Sequence, residues 1–404
     1  MVEVYDMTPC ITEPEFCPRE TCIYYNRAKA KNTKWYIRFG THYSKCRGTI
    51  QRFRCKHCGK TFSTQTYSIH YWTHSTIDFY EFAQLLYSCS GLLQTARFKG
   101  YTYRVVQNRV RRLARNCLAL MNDFYLEHTL TENLVMDGFE SYTRSKYFPN
   151  NITMLVGKRS QFIYAAVHTM FRRKGKMTAE QHKFRDLIDQ YWVPKGKIKD
   201  DVRAILLDCL SMMCKTMDKR PLTLFTDEHK AYPGAFLSVP ALNKALKENK
   251  FFHSTTSSTA PRTRLNPLFS ANYVDRQMRK NMGEHVRKTV KQGREVNCQM
   301  ERMAIFMAMH NFFTPHRIHH VAEPENEPTH REEGGVFSSM FHWYFGRLFT
   351  HRHIFGHLRK PAEWIRRVWR FQYENPPGFN FAKMKLSDKV MALPPGHLAR
   401  HFLV

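Results

Sequence analysis

Carboxylates are scarce in this chain. Its 404 residues carry 34 Asp and Glu against 63 Lys and Arg, a formal net charge of +29. An excess of that size repels itself in a compact state unless a polyanion neutralises it. Nucleic acid does so while releasing condensed counterions. The balance therefore points to a nucleic-acid partner, although ribosomal and membrane-surface proteins share the signature. Also missing is any apolar run long enough to span a bilayer, so no membrane partner is expected. The N-terminal stretch from Met1 to Pro14 is acidic and lacks the basic-then-apolar order of a secretory leader, so an intracellular, cytoplasmic protein is expected. In that compartment the 11 cysteines stay reduced, which excludes a disulfide framework and makes grouped cysteines metal ligands. The length exceeds what one hydrophobic core usually organises, so the expectation is a multi-domain chain.

The cysteines are unevenly placed. Cys17 and Cys22 form one knuckle (CPRETC), and Cys55 and Cys58 form a tighter one in RFRCKHCGKTFS. Four thiolates suit zinc, which takes soft ligands in a tetrahedron and supplies folding free energy to a segment too short and polar for much of a core. A rival set is Cys55, Cys58, His70 and His74, close to a two-Cys, two-His finger but one residue short in its central spacing. That set leaves the Cys17 and Cys22 knuckle idle, so the four-cysteine ribbon is preferred. Cys10 and Cys46 are spare in either version. Cys89, Cys117, Cys209, Cys214 and Cys298 lie in apolar helical patterns and read as small core residues.

From Ser75 the periodicity turns helical, with Ile77, Phe79, Phe82, Ala83 and Leu86 at three- and four-residue steps and Ser75 or Thr76 as a cap. LLQTARFKGYTYRVVQNRVRRLAR then reads as a helix, a turn at Gly100, and a second helix buried through Val106, Val110 and Leu113. This is a helix-turn-helix pattern. Arg104, Gln107, Asn108, Arg111 and Arg112 lie off the buried stripe, where they could meet phosphates and base edges. A solvated basic face is the alternative for the same residues.

Beyond Thr129 the runs become strand-like: LVMDGFESY, NITMLVG and QFIYAAVHTM, the last two joined by a tight turn over Gly157 to Arg159. Asp137 sits inside the first run, where a charge among apolar neighbours needs a cation to offset its desolvation. A Lys-rich insertion spans about 172–200, and a helix is expected from Asp201 through Leu206, Leu210 and Met213. The short strand Leu222 to Phe225 then delivers Asp227 to its C-terminal end, where open α/β sheets place their sites. FFHSTTSS suits one more strand. After a basic loop with Arg262 and Arg264, Asp275 falls in the first turn of a helix that also carries Arg276, Arg279 and Lys280, which suit a DNA backbone. Ile305, Phe306, Met309 and Phe312 mark a buried helix behind it. Glu140, Glu228 and His229 flank the aspartates and are read as residues that tune the site or as ordinary exposed groups.

The joint order of zinc ribbon, helix-turn-helix, MDGFES, FTDEHKAY, VDRQMRKN and RMAIFMAMHNF resembles DDE-type insertion-sequence transposases, over about Cys17 to His316. The resemblance implies a multi-domain α/β chain: a zinc ribbon over 1–74, a helix-turn-helix DNA-binding region over 75–130, and an RNase H-like catalytic domain over 131–320, a mixed sheet flanked by helices. It implies magnesium, or manganese, held by Asp137, Asp227 and Asp275. The third is an Asp where the family usually has Glu, and Glu284 is held in reserve. It also implies cleavage and joining of DNA at the ends of a mobile element, with target DNA as a second partner, a homodimer or higher oligomer on the DNA, and a nucleoid-associated location. A DNA-binding regulator with a decayed site and an RNase H-like nuclease that cuts without joining are the alternatives.

Residues 321–404 are a basic, aromatic extension carrying FHWYFGRLFTHRHIFGH and AEWIRRVWRFQY, reached through the polar linker AEPENEPTHREEGG. Its histidines lack regular ligand spacing. Trp364, Ile365 and Val368 stand at helical steps, so a basic helical arm against the core or DNA is expected.

Overall fold

The computed structural model describes residues 13–75, 77–194, 196–286, 291–316, 328–333, 348–352 and 385. Trp364, Ile365 and Val368 lie outside the described residues. At the N-terminus, the one-turn helix α1 (Arg27–Ala30) precedes three strands, β1 (Tyr36–Ser44), β2 (Gly48–Cys55) and β3 (Thr61–Ser63), in an antiparallel sheet of that order. A unit this small has few aliphatic side chains, so rings fill its core. Trp35 stacks on Phe62 at 5.7 Å and Phe53 on Phe62 at 5.8 Å, with Phe16 and Tyr67 closing the far side.

Helix α2 (Phe79–Tyr87) buries Phe79, Phe82, Ala83 and Leu86, the stripe its spacing predicts. Its cap is Asp78, which accepts a hydrogen bond from the Glu81 amide at 2.9 Å, rather than Ser75 or Thr76. Ser75 is otherwise engaged: Arg109 donates to both its carbonyl and its Oγ, at 2.9 and 3.0 Å. Helix α3 (Leu92–Lys99) ends at Gly100, whose φ of +65° is the left-handed stop that favours glycine. Helix α4 (Tyr103–Glu127) follows and buries Val106, Val110 and Leu113.

The central sheet holds β4 (Leu134–Tyr142), β5 (Pro149–Gly157), β6 (Ile163–Met170), β7 (Leu222–Asp227) and β8 (Phe251–Thr256) in the order β6-β5-β4-β7-β8. β4, β5 and β6 are antiparallel neighbours, whereas β7 runs parallel to β4 and β8 parallel to β7. Parallel neighbours require crossovers. From β6 to β7 the chain uses α5 (Ala179–Tyr191) within the basic insertion, then α6 (Ile198–Asp208) and α7 (Leu210–Met217). The single helix expected from Asp201 is thus two, broken at Cys209. From β7 to β8 it uses α8 (Ala231–Leu237) and α9 (Pro240–Lys247). Helix α10 (Phe269–Asn281) then lies over β4 and β5. Helix α11 (Val296–Phe313) is buried around nearly its whole circumference, and α12 (His330–Glu333) caps it. One hydrophobic core runs from Ile69 through α2, α4, the sheet and α11 to Leu348. The segment 348–352 is pinned between the N-terminal unit and α4: Ile69 donates to the Thr350 carbonyl at 2.9 Å, and Asn116 Nδ2 donates to the carbonyls of Leu348 and His351.

The β5–β6 turn rests on a buried carboxylate. Glu132 accepts hydrogen bonds from the amides of Arg159 and Ser160 at 2.6 and 2.9 Å. A Cβ on Gly157 would come within 2.2 Å of Glu132 Oε1. Gly157→Ala is expected to destabilise the fold by about 1–3 kcal/mol through this overpacking, read as a lower urea midpoint at unchanged slope.

His168, His285, His310 and His330 are almost fully buried. Burial is the leading cause that lowers each: to about 3 for His168, about 4 for His285 and His310, and about 2 for His330. In the unfolded chain each takes up a proton near pH 6.5, so below that pH the unfolded state binds more protons. The stability these neutral rings contribute is complete above pH 6.5 and declines as pH falls toward 4. A melting temperature that drops steadily from pH 7 to pH 5 is expected, and a flat profile over that range would contradict it.

Candidate functional site

The four cysteines converge. Cys17 Sγ lies 3.5 Å from Cys58 Sγ, and Cys22 Sγ lies 3.8 Å from Cys55 Sγ. All four sulfurs lie within 4.8 Å of one another. A tetrahedron with bonds of about 2.3 Å has edges of about 3.8 Å, so the cluster fits a zinc ion. Local backbone explains the convergence: Cys55 ends β2, and Gly59, at φ +69°, donates its amide back to the Cys55 carbonyl at 3.0 Å, which turns Cys58 toward the cluster. Burial pushes the Cys17 and Cys22 thiols up. It acts on Cys58 as well, but the Lys60 amide and the neighbouring thiols outweigh it and bring Cys58 down to about 7. A cation among these sulfurs would favour all four thiolates. His57 Nδ1, 3.6 Å from Cys22 Sγ, is a neighbour the spacing argument did not single out, although it sits inside the Cys55–Cys58 knuckle. The rival histidines are elsewhere. His70 packs against the Phe79 ring at 5.0 Å and is lowered to about 3, first by burial and then by Arg47, while His74 is exposed.

The second constellation is built by strand register. Val135 on β4 pairs with Phe225 on β7 in parallel, and pairing stops there. Asp137 and Asp227 each lie two residues further along, on the same face and level with one another. That face is covered by α10: Val135 and Phe225 pack with Leu268 and Ala271. One helical turn beyond Ala271 stands Asp275. Asp275 lies in the middle of α10, not in its first turn, because the helix begins at Phe269.

Electrostatics record the same grouping. Burial raises Asp137 to about 6; its bond from the Gly138 amide at 2.7 Å opposes this, and the Asp227 charge adds to it. Asp275 is raised to about 7, first by burial and next by Asp137. The Arg262 guanidinium, in the loop before α10, draws both down. Asp275 Oδ1 is buried with no hydrogen-bond partner among the described residues. Asp227 Oδ1 accepts from the His229 amide at 2.9 Å. Glu140, Glu228 and His229 are exposed beside the group. The three aspartates are not drawn into a cluster as tight as the cysteines, the one such cluster among the described residues.

Glu284 belongs to a different assembly. Its Oε1 accepts from Arg302 Nε at 2.8 Å with both side chains buried, and Arg302 Nη1 donates on to the Ser90 carbonyl at 2.8 Å. A carboxylate so committed is not a reserve ligand. Among the expected DNA contacts, Arg104, Asn108, Arg276 and Lys280 are exposed and Gln107 is half-buried. Arg111 and Arg112 turn inward instead: Arg111 faces the buried Glu301 at 3.6 Å, and Arg112 donates to the Ile69 carbonyl at 3.0 Å. Arg279 lies over the Phe139 ring at 4.7 Å. The reason is that α4 is not a free-standing helix. Its far side is covered by α11, which supplies Glu301. No protein-family model matches this chain, and no curated protein matches it.

Cys17→Ser is expected to lose the zinc that the purified protein retains, whereas His70→Ala keeps it; metal content by mass spectrometry distinguishes them. Zinc lost with His70→Ala and kept with Cys17→Ser would reverse the ligand assignment.

Proposed function

We propose that this chain is a DDE-type DNA transposase with an RNase H-like core. In this reading the four-cysteine unit is a zinc ribbon, and α3 and α4 form a helix-turn-helix. The observation that carries it is the placement of Asp137 and Asp227 two residues beyond the last parallel pair of adjacent strands, with Asp275 on the helix that covers that seam. The strand order supports it: three antiparallel strands, then two parallel ones, with acids on the first strand, at the end of the fourth, and on the helix after the fifth. The charge of +29 supports DNA as the partner.

Three carboxylates offer the hard oxygen donors that magnesium or manganese prefers, and the orphaned Oδ1 of Asp275 fits a cation as the missing partner. When bound, a pair of such ions supplies activation of the attacking oxygen and stabilisation of the leaving one in an in-line displacement at phosphorus. The chain's own residues prepare that site. The Gly138 amide orients Asp137, and the His229 amide orients Asp227. Arg262, exposed beside Asp137 and Asp275, is placed to meet the phosphate of an entering strand. Arg276 and Lys280, exposed on α10, offer positive charge along its flank. Water or a 3′-hydroxyl as nucleophile would make the same site cut and then join.

The test is strand cleavage and joining on DNA bearing the element's terminal repeats, with magnesium, for wild type and for Asp137→Ala, Asp227→Ala and Asp275→Ala. Each substitution is expected to lower the rate on the order of 10²–10³-fold or more. Equal activity in all four proteins sinks the catalytic reading. Cutting without joining would favour the nuclease, and binding without cutting the regulator.

A further inference from the structure

The N-terminal unit carries a cleft of about 830 Å³ that the catalytic reading does not use. It opens between the sheet and the turn at residues 70–75. Arg47, Arg52, Lys60 and Arg352 line it, and among the described residues no carboxylate does. At its rim stands Trp72, 83% exposed. Its backbone has φ +56°, a left-handed conformation unfavourable for a bulky residue and one that persists only where surroundings over-determine it. Those surroundings are visible. Arg47 donates to the His70 carbonyl at 2.8 Å and the Thr73 carbonyl at 3.3 Å, bridging the turn from both ends, and also bonds to Thr73 Oγ1. Next to Trp72, the Tyr71 ring is covered by the Arg352 guanidinium at 4.5 Å. The indole is thus held out into solvent, above a cationic floor, by a braced turn.

We propose that this cleft binds a DNA strand with unpaired bases, one base stacking on Trp72 while Arg52 and Lys60 take the adjoining phosphates. An exposed indole gives a π-face that any base can meet, and cations tracking the backbone are its usual complement on single-strand binding surfaces. The described lining holds cations and no carboxylate, so it does not repel a polyanion. A duplex offers no free base face to Trp72, so the surface favours a separated strand. Such strands occur wherever duplex ends are opened. The cleft stands on its own geometry and does not rest on the three aspartates.

Full-length, zinc-loaded protein is titrated into a fluorescein-labelled single-stranded 15-mer and into the matching duplex, without magnesium, following anisotropy. Trp72→Ala is expected to weaken single-strand binding about tenfold or more and duplex binding less than about threefold. Trp72→Phe should restore most of the loss and Trp72→Leu should not. Arg52→Ala with Lys60→Ala should weaken single-strand binding and reduce its salt slope by about 1.4, the share of two phosphates. Zinc content and circular dichroism confirm that each variant is folded. Unchanged single-strand affinity in Trp72→Ala, equal losses on strand and duplex, or full rescue by leucine overturns the proposal. Asp137→Ala should retain the Trp72 dependence, so a failure here leaves the cleavage reading intact, and a failure there leaves the cleft.

Discussion

The parallel pairing of Leu134 and Val135 with Leu224 and Phe225 is the contact on which the central site depends. It is short, and it breaks off just where the chain would otherwise bring Asp137 and Asp227 into ladder positions. Both strands are held there from outside. β5 pairs with β4 along its whole length, β8 pairs with β7 along its whole length, and Leu268 and Ala271 cover the seam. Two carboxylates side by side at the end of a short parallel ladder repel one another, and burial adds desolvation. The raised values of Asp137 and Asp275 are the trace of that cost. Arg262 draws Asp137 down, and Arg279 and Arg262 draw Asp275 down, without cancelling it.

Much of this was legible in the sequence because strands and helices with one apolar face announce themselves. β4 to β8, the turn at Gly100 and the cysteine knuckles follow from local pattern. The misses share a cause, which is partnership across long sequence separation. Ser75 loses its role as a cap to Arg109, and Arg111 and Arg112 lose theirs as exposed cations to Glu301 and the Ile69 carbonyl. Glu284, acidic and near the expected ligand, proves to be bonded to Arg302. No window along the chain contains those pairs. Helices α8 and α9 passed unremarked because Pro233, Gly234 and Pro240 punctuate their segment, yet Pro240 occupies the first turn of α9, where a missing amide costs nothing. Asp275 stands in mid-helix rather than in the first turn because the Leu268 amide donates to Asn266 Oδ1 and the chain enters α10 already at Phe269.

Buried charge on α11 ties the two halves of the proposed activity together. Adjacent residues of that helix reach in different directions: Glu301 faces Arg111 on α4, and Arg302 holds Glu284 and the Ser90 and Leu86 carbonyls between α2 and α3. The end of α10 is fastened to the same place, since Cys89 donates its amide to the Asn281 carbonyl at 3.1 Å and its Sγ to the Lys280 carbonyl at 2.9 Å. Gly283 permits the approach, because a Cβ there would meet the Cys89 carbonyl at 2.9 Å. Ion pairs this deep contribute little net stability over apolar packing, but breaking one strands its partner. Their consequence here is geometric. Helix α10, which carries Asp275, and helix α4, which carries the exposed Arg104 and Asn108, cannot shift independently without exposing a buried charge. The packing between them therefore fixes the angle of α10 to α4, which is the geometry a joint grip on DNA, as proposed, would need.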